Sequence, residues 1–224
     1  MAKRTKREKR ELGAFATEEL KKLYPNALCA LDWQGEPWKL LVMGRLSAQC
    51  TDARVNIVCG ELFSEFPTLS ALADAPLERI EEIIRPCGLF RTKAANIKAA
   101  CIRLRDTYGG VLPEDMDELL KFEGVGRKIA NLLLGDVYGL PAIVADTHCM
   151  RICGRLGFYP DGQKDPTRTE RIMRELIEPK EQSDFCHRIV QFGRDVCTAR
   201  SPKCESCPLS EKCEYAAKKF KLKY

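Results

Sequence analysis

The chain has 224 residues, enough for one large domain or two small ones. A hydrophobic fraction of 45% beside 31% charged residues describes a globular chain, and no run approaches the roughly eighteen apolar residues of a membrane helix, so no membrane partner is expected. Lys and Arg outnumber Asp and Glu by 37 to 32, and the resulting charge of +5 is by itself a weak pointer to nucleic acid.

From the amino terminus, the first ten residues are rich in Lys and Arg and read as a phosphate-seeking arm or a solvated tail, with the tail favoured. No apolar h-region follows them, so no signal peptide is expected there. Beyond them, apolar residues recur at three- and four-residue intervals. The spacing predicts helices over 17–23, 38–48, 52–66, 77–84, 92–108, 115–122, 127–138, 147–156, 167–177 and 185–197. Asp165 before Pro166 is a recognisable helix start. Residues 142–145 are the only brief strand candidate, and there is no repeat of fixed period. The expectation is an all-α chain.

Four of the twelve cysteines, Cys197, Cys204, Cys207 and Cys213, share the spacing C-x6-C-x2-C-x5-C. The other eight stand singly in apolar helical patterns, as buried free thiols do. A chain of this length does not read as a secreted disulfide scaffold, so a reduced intracellular compartment, the cytoplasm, is expected. The clustered four are read as metal ligands. Four-cysteine zinc sites usually come as two C-x2-C pairs, and this set has one pair and two outlying cysteines. The spacing leaves zinc and a four-iron cluster open, with a structural role expected of either.

The second informative segment is Gly124-Val125-Gly126-Arg127-Lys128, a tight turn between two apolar helical patterns. Glycines allow outward-pointing amides and close approach of another chain, and the open N–H groups of the next helix suit a DNA phosphate. The plainer alternative is an ordinary helix-to-helix turn. A third glycine and a preceding strand are missing, which excludes a dinucleotide fingerprint. Lys128 falls in the first turn of the second helix, whose positive end disfavours an ammonium ion and so favours the neutral amine of a nucleophilic lysine. A random lysine is more often a plain surface residue. Eighteen residues on, Asp146 in Val144-Ala145-Asp146-Thr147-His148 reads as the N-cap of the helix that follows.

Taken together, Leu46-Ser47-Ala48-Gln49-Cys50-Thr51-Asp52, Gly88-Leu89-Phe90 with Lys93-Ala94, Gly124-Val125-Gly126-Arg127-Lys128, Val144 to His148 and the cysteine tail resemble, in order, the endonuclease III family of helix-hairpin-helix DNA glycosylases and lyases. The resemblance implies two helical lobes with the active site in the cleft between them. One is a six-helix barrel-like domain of residues 30–140 carrying the hairpin. The other is a discontinuous domain of residues 1–29 and 141–224 ending in the iron-sulfur loop. It also implies a [4Fe-4S] cofactor on Cys197, Cys204, Cys207 and Cys213, Lys128 as nucleophile and Asp146 as its carboxylate partner. Gln49 and Leu89 stand at the family's wedge positions, and Gly124, Val125, Gly126, Arg200 and Lys203 at its DNA contacts. The implied substrate is duplex DNA with oxidised pyrimidines or abasic sites, handled by a monomer. Two departures are Glu123, where the family usually has proline, and Ser201, where it often has a basic residue. The alternatives are a monofunctional adenine-type mismatch glycosylase, which lacks the lysine, and a non-catalytic DNA-binding module.

Overall fold

The computed structural model describes residues 4–221. Its α-helices are α1 (Lys6–Leu23), α2 (Pro37–Leu46), α3 (Asp52–Glu65), α4 (Leu69–Asp74), α5 (Leu77–Ile84), α6 (Phe90–Tyr108), α7 (Met116–Leu119), α8 (Arg127–Tyr138), α9 (Thr147–Leu156), α10 (Pro166–Leu176), α11 (Gln182–Asp195) and α12 (Glu214–Phe220). Four short 3-10 turns join them, and the described residues contain no strand, so the brief candidate at 142–145 is irregular chain, where Val144 N donates to Cys186 Sγ at 3.2 Å. Among the described residues no helix is long and apolar enough to cross a membrane.

Contacts divide the chain into two compact units, Cys29–Gly139 and Met1–Leu28 with Leu140–Tyr224. The first is built around α2, whose residues Leu40, Leu41, Val42 and Met43 are all buried. A helix apolar on every side needs cover on every side; α3, α6 and α8 supply it. Thr51, Thr68 and Asp115 each accept a backbone N–H at the start of α3, α4 and α7. Those are side-chain caps of the kind that fix where a helix begins.

The second unit packs α1, α9, α10, α11 and α12 around Phe158, Phe185, Ile189 and Phe192, all at most 1% exposed. Asp165 caps α10 as its position before Pro166 predicts, accepting from Arg168 N at 3.0 Å. Cys149, Cys153 and Cys186 lie in this core as free thiols, and Cys59, Cys87 and Cys101 are buried in the other unit, so six of the eight scattered cysteines are core; Cys29 and Cys50 are half-buried.

The amino-terminal expectation needs correction. Residues 1–3 lie outside the described residues, but from Lys6 the chain is helical, started by a capping box in which Thr5 and Glu8 bond each other's backbone N–H. Leu12, Ala16 and Leu20 form its buried stripe. The basic residues face outward and are held. Arg4 donates to Leu156 O at 2.5 Å and to Lys212 O at 2.7 Å, and Lys6 pairs with Glu175 at 2.6 Å. Replacing Arg4 leaves two carbonyls without that donor. Arg4→Ala should therefore lower unfolding stability by about 1–2 kcal/mol in urea titrations, where a solvated tail would give no change.

Candidate active site and metal centre

The hairpin between α7 and α8 spends some of its amides on the protein and leaves others open. Val125 is buried and its N–H donates to Phe122 O at 3.1 Å. With the Asn96 amide turned to satisfy both neighbours, its oxygen accepts from Gly124 N at 3.2 Å and its nitrogen donates to Thr92 O at 2.8 Å. The N–H groups of Gly124 and Val125 thus bond within the unit. Gly126 begins α8 with no side-chain cap, and the N–H groups of Gly126 and Lys128 have no acceptor among the described residues. These are the orphan donors that an anion can take.

Lys128 lies in the first turn of α8, is exposed, and has no hydrogen bond or ion pair among the described residues. Glu123, expected to bring a bare carboxylate to the turn, instead makes a two-pronged pair with Arg103 at 2.7 and 3.2 Å. That pair holds the Glu123 carboxyl below its usual range.

Gln49 and Leu89 share an unusual backbone. Gln49 has φ +55 and Leu89 φ +49, the left-handed region that side chains other than glycine seldom enter. Both side chains are exposed, Leu89 to 61% despite being apolar.

In the other unit Asp146 caps α9, its Oδ1 accepting from Cys149 N at 2.7 Å, and the residue is half-buried. The cap and the proposed chemical role are thus compatible in one side chain. Cys197, Cys204, Cys207 and Cys213 all line one small cavity together with Ile152, Phe192, Leu209 and Tyr215. Among the described residues no three His, Cys, Asp or Glu side chains close on a point as a single ion requires. Four thiols spread around an apolar cavity suit a cluster, which puts a separate iron behind each sulfur. Burial pushes the Cys207 thiol up to about 11 and raises Cys213 as well, so the charge of bound iron must supply what makes them thiolates.

Two arginines that sequence reasoning missed hold this segment. Arg155, buried, donates to Thr198 O and Ala199 O at 2.8 Å each and to the Cys197 sulfur at 3.3 Å, and stacks 4.7 Å from the Tyr215 ring. Arg151 reaches Cys197 O at 3.0 Å. Their signal was a pair of arginines four apart on an otherwise apolar helix. Arg200 and Lys203, in the loop so held, are exposed and bond no other described residue through their side chains.

Comparison with known proteins now bears on this arrangement. Residues 42–179 match the family described as HhH-GPD superfamily base excision DNA repair protein, and residues 197–213 match the iron-sulfur binding domain of endonuclease III. The endonuclease III of Synechocystis sp. is 44% identical over 198 residues, 88% of this chain and 89% of that one. The chain belongs to the endonuclease III family. Two solved structures agree: a non-covalent endonuclease III–DNA complex (TM-score 0.87, 40% identity, 95% of this chain and 98% of that one) and a trapped endonuclease III–DNA covalent intermediate (0.87, 41%, 94% and 98%). As a member of the endonuclease III family the chain carries a [4Fe-4S] cluster, and its iron-sulfur match begins at Cys197 and ends at Cys213.

The two hairpin glycines should behave differently. A Cβ on Gly124, whose φ is +77, would lie 2.3 Å from Arg45 Nε and from the side-chain amide of Asn96, whereas one on Gly126 would meet nothing within 4 Å. Gly124→Ala should cost about 2 kcal/mol or more of stability. Gly126→Ala should stay within about 0.5 kcal/mol of the parent in thermal unfolding. Its DNA affinity, read by fluorescence anisotropy, should nonetheless fall by about tenfold, because the methyl fills the space a phosphate approaches.

Proposed function

We propose that this chain is a bifunctional DNA N-glycosylase and abasic-site lyase of base excision repair. It removes oxidised pyrimidines from duplex DNA and then nicks the abasic strand. It works as a monomer at the cytoplasmic nucleoid, because a single chain carries the amine, the carboxylate, the wedge residues and the cluster segment. The observation that carries this reading is Lys128: an exposed lysine in the first turn of α8, with no ion pair among the described residues, beside amides that find no acceptor there.

The chemistry follows from the residues. Enzymes that excise a base first take it out of the stack, and the vacated space must be filled. Gln49 supplies hydrogen-bonding groups for the orphaned partner base and Leu89 an apolar plug. The free amides of Gly126 and Lys128 hold a backbone phosphate, with Arg200 and Lys203 as further backbone contacts. Neutral Lys128 attacks the sugar C1′ carbon as the N-glycosidic bond breaks and the base leaves with the bonding pair. The Asp146 carboxylate stabilises the positive charge that develops on the sugar.

Loss of a proton from nitrogen and ring opening give an imine, which acidifies the C2′ proton. Removal of that proton expels the 3′ phosphate, and water then hydrolyses the imine to restore the lysine. Cys197, Cys204, Cys207 and Cys213 are the cluster ligands, and the cluster supplies crosslinking to a segment otherwise too short for a core of its own.

The roles of the two residues separate in kinetics. Lys128→Ala should reduce strand nicking by at least about a hundredfold, and Asp146→Asn should slow base release on the order of a hundredfold, with duplex affinity nearly retained in both. Single-turnover assays on thymine-glycol and abasic duplexes, paired with anisotropy binding, check this. Equal losses of binding and rate in Asp146→Asn would return that residue to capping alone.

A further inference from the structure

Left-handed backbone at a residue with a Cβ costs about 1–2 kcal/mol and survives only where the surroundings over-determine it. Gln49 and Leu89 both carry that cost, and neither side chain makes a hydrogen bond to the described residues that would offset it. One buried side chain reaches the backbone next to both. Lys93, in the first turn of α6, is 0% exposed. Its Nζ donates to Leu46 O at 2.9 Å and to Cys87 O at 2.8 Å, while its main-chain N–H donates to Leu89 O at 3.0 Å. Leu46 is the last residue of α2, three before Gln49. Cys87 ends the 3-10 turn Arg85–Cys87, two before Leu89.

The choice of lysine there is chemically specific. The two carbonyls are helix-end acceptors, left without intrahelical partners and carrying the negative end of their dipoles. Among the described residues no carboxylate pairs with the ammonium: the titratable groups acting on it are the Cys87 and Cys50 thiols and the Arg45 guanidinium. An unpaired buried ammonium is a poor way to gain stability, and an apolar side chain of the same length would fill the space at lower cost. The lysine is therefore accounted for by what it holds.

We propose that Lys93 is a positioning residue for base extrusion, clamping the α2 end and the 3-10 turn so that Gln49 and Leu89 keep the left-handed turns that project them outward. This rests on the reading of Gln49 and Leu89 as the residues that fill the emptied stack. Lys93 itself touches no DNA.

The test uses the full chain with its cluster loaded and the variants Lys93→Met, which keeps the packing and removes the donors, and Lys93→Gln, which restores two N–H donors without charge. Three readouts are compared: single-turnover base release from a thymine-glycol duplex, fluorescence of 2-aminopurine opposite the lesion as a signal of unstacking, and cleavage of a single-stranded abasic oligonucleotide, in which no stack has to be opened. Lys93→Met should lose between about tenfold and a hundredfold on the duplex, together with the fluorescence rise, while single-strand cleavage changes by less than about twofold. Lys93→Gln should recover most of the loss, and adding Gln49→Ala to Lys93→Met should cost little more.

Equal losses on duplex and single strand, or a full duplex rate in Lys93→Met, would overturn the inference. If Lys93→Met does not fold, Lys93→Leu takes its place in the cycle with Gln49→Ala, and fully additive losses overturn it. If Gln49→Ala and Leu89→Ala leave duplex excision intact, the wedge reading fails and this inference with it, whereas an inactive parent protein refutes the enzyme assignment itself.

Discussion

The amides at the start of a helix cannot be satisfied inside it, and the hairpin before α8 turns that deficit into a site. Gly124 and Val125 use their N–H groups on Asn96 and Phe122, which fixes the turn. Gly126 and Lys128 are left with theirs open. An anion is thereby invited to the start of α8. The proposed phosphate grip and the place of Lys128 beside it both follow from one uncapped helix end. A serine or aspartate at position 126 would cap the helix and compete with both.

In the other unit a single short helix links two functions. Asp146 caps the start of α9 while Arg151 and Arg155, at its far end, hold the segment that opens with Cys197. Ten helical residues span about 15 Å, so the carboxylate and the cluster segment are joined by one rigid rod. Arg4 from before α1 bonds Leu156 O at the same helix end. Loss of the cluster would then be felt along α9, without the cluster taking any part in bond breaking.

Much of this was legible in the sequence, for reasons that can be stated. Long amphipathic segments such as α8, α9 and α10 announce themselves by period and by Asp146 or Asp165 at their starts. Of α1 the spacing finds only residues 17–23, because the basic face of its first half masks the stripe of Leu12, Ala16 and Leu20, although Thr5 and Glu8 spell a capping box. The α4 and α12 helices, of six and seven residues, are too short for a period to show. Among site residues, Lys128, Asp146 and the four cysteines are found by type and spacing. What spacing does not carry is contact across the chain: Arg103 with Glu123, Asn96 with Gly124, Lys93 with Leu46, Arg155 with Thr198. These are pairings that only the folded path brings together, and they decide which amides stay open and which loops stay rigid.

The central claim is that the amine of Lys128 forms the bond to the sugar. Borohydride reduction during reaction with an abasic duplex, followed by proteolysis and mass spectrometry of the crosslinked peptide, locates that bond directly. The account predicts a deoxyribose adduct on the peptide containing Lys128. An adduct on another lysine or on the amino terminus, or no adduct while nicking proceeds, would contradict it.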